Sequence, residues 1–364
     1  MSSSTHRMPA AVFHGRGDVR VEEVAVPRPG PNEVLLSVAA AGICGTDAAE
    51  YAHGPSMFPV ERRHPATGHL GPMVMGHEFA GTVVAVGDEL DPGLVGRLVA
   101  SAGSLCCGAC WQCARGRGNM CESYAAVGLH RDGALARYVT TPLANCVFAD
   151  EHGLTGDAAA LVQPMSIAVH AARRSRITPE ERAVLVGAGG IGAFLVYVLG
   201  RWGVGVAVRE LVDERLELAR RLGAAPLEEE GGPPAVVFEV SGTVAGYESA
   251  LATLPRGGRL VLVGIQKRPH PVDLGRLTVS ELEFVGTNAM VYQDDLPEAV
   301  RLVAARREGW ADVAPTALTL DELVPHGLEP LTQGRAPAVK MLVDPWANAS
   351  RPTAFARRKE SHGT

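Results

Sequence analysis

The chain has 364 residues, 46% hydrophobic and 20% charged, with a formal net charge of −6. That length exceeds the size at which one core usually divides, so two domains are expected. The acid surplus leaves no basic excess to neutralise phosphates, which excludes nucleic acid as the partner class.

The N-terminal stretch, MSSSTHRMPAAVFHGRGDVR, has no apolar run of the secretory kind, so a cytoplasmic, reducing setting is expected. Asp18–Val26 and Glu33–Gly42 read as strands joined by the loop PRPGPN, and Gly76–Gly87 as another strand. Frequent Gly and Pro suggest an irregular β-barrel-like domain here.

Five of the seven cysteines stand between Cys106 and Cys121. Cys107, Cys110, Cys113 and Cys121 have the spacing C-x2-C-x2-C-x7-C, and the glycines of ARGRGNM let the fourth fold back. Four thiolates close a tetrahedron around a structural zinc. A redox pair needs only two cysteines, and a reducing compartment disfavours disulfides. Cys106 lacks the following glycine of CGAC and is left out of the set.

After about Ser166 the period changes. Ala183–Val186 reads as a buried strand, Ile191–Trp202 as a helix, Val204–Glu210 as a strand and Asp213–Leu222 as a helix. Strands at Ala235–Gly242, Arg259–Gly264 and Leu282–Thr287 follow, with a helix near Val244–Leu254, so the segment reads as βαβ units with a parallel sheet. Ala183–Gly200 carries no charge and has the length of a membrane span, but the clustered glycines divide it into strand, turn and helix. Only about ten residues separate Leu222–Ala224 from Ala235, too few for an ordinary crossover, so an abbreviated one is expected. The C-terminal stretch is polar and unpatterned and reads as a loose tail.

Gly187, Gly189 and Gly192 fit G-x-G-x-x-G, with Gly190 and Ile191 between them. The turn follows a strand and opens a helix, and Glu210 ends the next strand about twenty residues on. Glycines admit the pyrophosphate to the helix N-terminus, and the carboxylate accepts from ribose hydroxyls. An acid at Glu210 repels a 2′-phosphate, which favours NAD over NADP, although Arg209 next door could accommodate that phosphate. Arg215 joins the cofactor-binding candidates.

GICGTD at Gly42, GHEFAG at Gly76, the four-cysteine segment and VGAGGIG occur in the order of the zinc-dependent medium-chain alcohol dehydrogenases, which the chain resembles from about Pro9 to Pro345. The start looks most like the 2,3-butanediol and sorbitol dehydrogenase branch. The resemblance implies an α/β fold, with a GroES-like β-barrel catalytic domain (1–165, structural zinc lobe about 104–124) and a Rossmann doubly wound parallel sheet (166–305). A return to the catalytic domain (306–346) and a flexible tail (347–364) complete the implied arrangement. It further implies a catalytic zinc on Cys44 and His77, with Glu78 as third ligand or supporting carboxylate, and Thr46 as the group taking the substrate proton.

Two departures stand out. Gln163 occupies the place of a glutamate usual in this branch, and Ala49 that of a histidine which ends the family's proton relay; His53 is a nearby substitute. The expected activity is zinc-dependent, NAD-linked interconversion of a secondary alcohol (a vicinal diol, polyol or similar) and a ketone, with two zinc ions per chain. A homodimer or homotetramer without membrane contact is expected. The alternatives are the same chemistry on a larger biosynthetic intermediate, or a nucleotide-binding protein that has lost the activity.

Overall fold

The computed structural model describes residues 6–227, 232–266 and 268–355. It divides into two compact units, Met1–Gln163 with Val291–Thr364, and Pro164–Met290.

In the first unit, β1 (Arg7–Gly15) pairs with β2 (Asp18–Ala25), β3 (Glu33–Ile43) leads into α1 (Gly45–His53), and β4 (Met73–Val74) pairs with β1. β5 (Glu78–Val86) lies antiparallel to β3, and β6 (Leu98–Ser101) to β5. β7 (Ser104–Leu105), α2 (Trp111–Ala114) and β8 (Ala125–Ala126) frame the cysteine segment, with β7 and β8 paired. β9 (Tyr138–Pro142) and β10 (Cys146–Phe148) extend the main sheet, and α3 (Gly156–Ala160) precedes α4 (Val162–Ser175), whose first turn ends this stretch of the unit.

The eleven residues of β3 are the spine. Its first half pairs with β9 and its last residues with a strand from the chain's far end, while β5 runs along the other edge. Phe13, Leu36, Phe79, Val83 and Leu135 pack into the core beneath, each fully buried. Burying an aromatic or aliphatic side chain contributes about 1.5–3 kcal/mol.

The second unit holds β11 (Arg182–Val186), α5 (Gly190–Arg201), β12 (Gly205–Arg209), α6 (Asp213–Arg221), β13 (Val236–Glu239) and α7 (Val244–Thr253). β14 (Arg259–Leu262), α8 (Leu274–Val279) and β15 (Glu283–Gly286) follow. All five strands are parallel, in the order β12-β11-β13-β14-β15. The order reverses between β11 and β13, so a crevice opens at their carboxyl ends. The uncharged stretch 183–200 is a core strand, a turn and a core helix: Gly192–Leu199 of α5 are all buried. Among the described residues no helix is long and apolar enough to cross a membrane.

The short crossover takes a definite form. After α6 the chain touches the edge of β12 through one parallel bridge, Ala207 to Ala225, and then enters β13. Among the described residues no further helix intervenes.

The structure differs from expectation at the C-terminal side. α9 (Tyr292–Ala305) clusters with the first unit, so the division falls at Met290 rather than at 305. β16 (Thr316–Leu318), α10 (Glu329–Thr332) and β17 (Met341–Val343) then follow, and the two strands rejoin the main sheet. The expected loose tail is docked as far as Phe355: β18 (Arg351–Pro352) pairs with β16, and Arg351 bridges Asp157 and Asp344, each at 2.7 Å. Its polar residues bind by long-range ion pairs, which carry no periodic signal. Residues 356–364 of that tail lie outside the described residues.

Candidate metal centres and dinucleotide turn

Cys107, Cys110, Cys113 and Cys121 bring their sulfurs within 4.8 Å of one another. Cys121 Sγ lies 3.5 Å from Cys107 Sγ and 3.9 Å from Cys110 Sγ, too far for disulfides, and all seven cysteines are free. A tetrahedron with Zn–S bonds of about 2.3 Å has edges of about 3.8 Å, so the four thiols fit zinc. Backbone N–H groups of Cys107 and Ser123 donate to Cys121 Sγ at 3.2 and 3.3 Å. The Glu122 and Cys113 backbone N–H groups lower the Cys110 thiol to about 6, whereas burial pushes the Cys113 thiol up to about 12 and raises that of Cys121. Cys106 Sγ faces Gly118 instead.

The second donor group comes from strand register. Gly42 sits opposite Glu78 and Ile43 opposite Met341, so the ends of β3, β5 and β17 meet. Cys44 follows β3 as the N-cap of α1, His77 precedes β5, and Lys340 precedes β17. Cys44, His77 and Glu78 offer donor atoms within 4.8 Å of one another. Glycine is required at position 42, where a Cβ would stand 2.3 Å from Glu78 Oε2. Thr46, in the first turn of α1, has Oγ1 at 3.8 Å from Cys44 Sγ.

Two supporting residues escape sequence reading. Asp47 is fully buried; its Oδ2 accepts from Cys44 N at 2.9 Å, and its Oδ1 lies 3.5 Å from His77 Nδ1. With Nδ1 on the Asp47 side, Nε2 would be the nitrogen available to a metal, as in many metal-bound histidines. Burial pushes the His77 pKa down, but Asp47 and Cys44 outweigh it and raise it well above its ordinary value. Lys340 Nζ donates to Glu78 Oε1 at 2.8 Å, to Oε2 at 2.6 Å and to Ile43 O at 3.2 Å. Burial disfavours the ammonium, yet Glu78 reverses the effect and raises its pKa. An ionised carboxylate has about four acceptor sites, so Glu78 can serve Lys340 and still face a cation. The signal for Asp47 is the capping-box position in CGTD; for Lys340 it is the rarity of lysine, at three positions in the chain.

A soft thiolate, an imidazole and a carboxylate suit zinc with an open position. Gln163 is buried on the first turn of α4 in the same unit. His53 is exposed at the end of α1.

In the second unit, Gly187 has φ +102° and donates N–H to Arg209 O at 2.9 Å, closing the turn at the crevice. A Cβ on Gly189 would meet nothing within 4 Å, so space stands open before the N-terminus of α5, formed by Gly190, Ile191 and Gly192. Orphan N–H groups there suit a pyrophosphate. Glu210 accepts from Ala188 N at 2.8 Å, Leu211 N at 2.8 Å and Val212 N at 3.1 Å, so it also fastens the glycine turn. Arg215 stands on the first turn of α6.

Comparison with known proteins identifies the family. The alcohol dehydrogenase GroES-like domain family matches residues 30–151, and the zinc-binding dehydrogenase family matches 190–305. Sorbitol dehydrogenase of Bacillus subtilis is 31% identical over 324 residues, covering 83% of this chain and 88% of its own. An (R,R)-butanediol dehydrogenase of Neisseria gonorrhoeae is 30% identical over 361 residues, covering 93% and 99%. The crystal structure of 2R,3R-butanediol dehydrogenase from Bacillus subtilis superposes with a TM-score of 0.83 at 27% identity, over 93% of this chain and 99% of that one. With both halves matched and relatives aligned along nearly their whole length, the chain belongs to the zinc-binding alcohol dehydrogenase family.

Proposed function

We propose that the protein interconverts a secondary alcohol, of the vicinal diol or polyol kind, and a ketone, with NAD as the redox partner. The observation that carries this reading is the convergence of Cys44, His77 and Glu78 beside Thr46. Relatives named for sorbitol and butanediol support the substrate class. When bound, zinc supplies Lewis acidity toward the alcohol oxygen and NAD accepts the hydride.

The protein's own groups do the rest. Cys44, His77 and Glu78 would hold the metal. Asp47 keeps the His77 ring turned, and Lys340 offsets the Glu78 charge so that the pocket stays electrophilic. Thr46 Oγ1 would accept the proton of the substrate hydroxyl while passing its own on toward solvent. The Gly187–Gly192 turn holds the pyrophosphate, and Glu210 accepts from the ribose hydroxyls while disfavouring a 2′-phosphate. Cys107, Cys110, Cys113 and Cys121 hold the structural zinc.

Were Gln163 to face the metal as a neutral amide, zinc would be less tightly held and more acidic. Gln163→Glu should then slow zinc loss to a chelator and shift the pH–rate profile of alcohol oxidation to higher pH. Parental values of both would remove Gln163 from the site.

A cytoplasmic location and assembly as a homodimer or homotetramer belong to this reading. β15 is an edge strand, and Leu274 and Val279 of the preceding α8 are 69% and 65% exposed, a surface suited to a second copy. Sedimentation analysis tests the assembly. The activity is tested by counting zinc per chain and following reduced-cofactor absorbance with diols and polyols: two zinc ions and turnover are expected. One zinc and no turnover would favour a nucleotide-binding protein that has lost the chemistry.

A further inference from the structure

The segment after α1 bends back onto that helix and is pinned by one buried carboxylate. Glu50, 1% exposed, accepts from Ser56 N and Met57 N at 2.9 Å and from Phe58 N at 3.3 Å, and the Ser56 hydroxyl also donates to it. Four donors on one carboxylate fix the path of the loop. The loop then frames a groove of about 310 Å³ between Pro55 and Pro65.

The polar lining of that groove is mostly donors. Arg62 and Arg63 are exposed and have no carboxylate partner among the described residues; Arg63 Nη1 donates to Gly68 O at 2.5 Å. His64 Nδ1 accepts from Ala66 N and Thr67 N, both at 3.3 Å. A backbone N–H can only donate, so the neutral ring carries its proton on Nε2 and offers a further donor. Partial burial lowers the His64 pKa, which keeps the ring neutral. The His130 ring lies tilted against it, with ring centroids 4.6 Å apart. Glu61 opposes the two arginines with a single negative charge.

Two guanidinium groups and an imidazole N–H against one carboxylate leave a net balance that favours an acceptor-rich, anionic ligand. The groove also shares its support with the candidate active site. Glu50 lies six residues beyond Cys44 on α1, about 9 Å along the helix axis.

We propose that the Arg62–Arg63–His64 groove binds the anionic end, a carboxylate or phosphate, of a polyol substrate whose hydroxyl reacts at the Cys44 site. This rests on the alcohol dehydrogenase reading and narrows its substrate class.

The test compares a neutral polyol, an aldonate and a polyol phosphate as substrates of the zinc-loaded enzyme, its Arg62→Ala variant and its Arg62→Lys variant. Calorimetric titration with inorganic phosphate accompanies the kinetics. Arg62→Ala should raise KM for the preferred anionic substrate about tenfold, the loss expected of a charge-assisted hydrogen bond, with kcat within about twofold. KM for the neutral polyol should not move, Arg62→Lys should restore part of the loss, and phosphate should bind the parent more tightly than Arg62→Ala. Which anion is preferred separates carboxylate from phosphate. Turnover of neutral polyols with no advantage for either anion, or equal phosphate binding by parent and variant, overturns the groove and leaves the dehydrogenase reading intact. Arg62-dependent phosphate binding in a protein that oxidises no alcohol overturns the dehydrogenase reading and leaves the anion site standing.

Discussion

The cysteine lobe and the Cys44–His77–Glu78 cluster are candidate metal sites built on opposite plans. All four lobe donors lie between Cys107 and Cys121, and backbone N–H groups from the same segment steady the sulfurs. The second cluster gathers its donors from the ends of two strands and is braced by Asp47 and by Lys340, 262 residues from Glu78. Four thiolates satisfy zinc by themselves, whereas three mixed donors leave a position open and need the whole sheet to aim them. Local chemistry thus suffices for a structural site, and tertiary register is needed for a reactive one.

The largest expected effect on this contrast is in His77→Ala. Removing a ligand forfeits several kcal/mol of transition-state stabilisation, so kcat/KM should fall on the order of a thousandfold, with one zinc per chain retained in the lobe. Lys340→Met comes next. It leaves the Glu78 carboxylate buried without its partner, a cost of about 3–5 kcal/mol in unfolding free energy, and Glu78→Gln added to it should recover part of the loss. The mirror experiment is Cys110→Ser: zinc content should drop by one and the melting temperature by several degrees, while the folded fraction keeps its kcat within about twofold.

The smallest effect comes from His130. Its Nδ1 accepts from Ala126 N at 3.0 Å, at the base of the lobe, and its pKa falls to about 4 through burial, with His64 and His77 adding repulsion. The unfolded chain takes up this proton near pH 6.5 and the folded chain only near 4. His130 therefore costs nothing above pH 6.5 and subtracts stability as pH falls from 6.5 towards 4. Melting curves across that window should show a flatter acid slope in His130→Gln than in the parent.

The same division separates what the residue order makes legible from what only the folded chain reveals. The lobe, the glycine turn and Glu210 are short-range patterns, and their spacing carries their chemistry. The strands of the parallel sheet announce themselves as apolar runs such as Ala183–Val186. Asp47 is legible only once Cys44 is known to cap α1, and Lys340 only once β17 is known to end beside β3. Docking of the C-terminal segment through Arg351 on Asp157 and Asp344 leaves no periodic trace either. The division at Met290 is not legible, because an apolar helix face such as that of α9 can cover either unit.

The central claim is that one zinc makes the reaction possible and the other only holds the fold. Timed chelation tests it most directly, with zinc release, alcohol oxidation and far-UV circular dichroism followed on the same sample. Activity should vanish as the first zinc per chain departs, with the fold and the second zinc still in place, and added zinc should restore it. Activity that persists until the second zinc leaves, or that falls only in step with unfolding, would contradict the assignment.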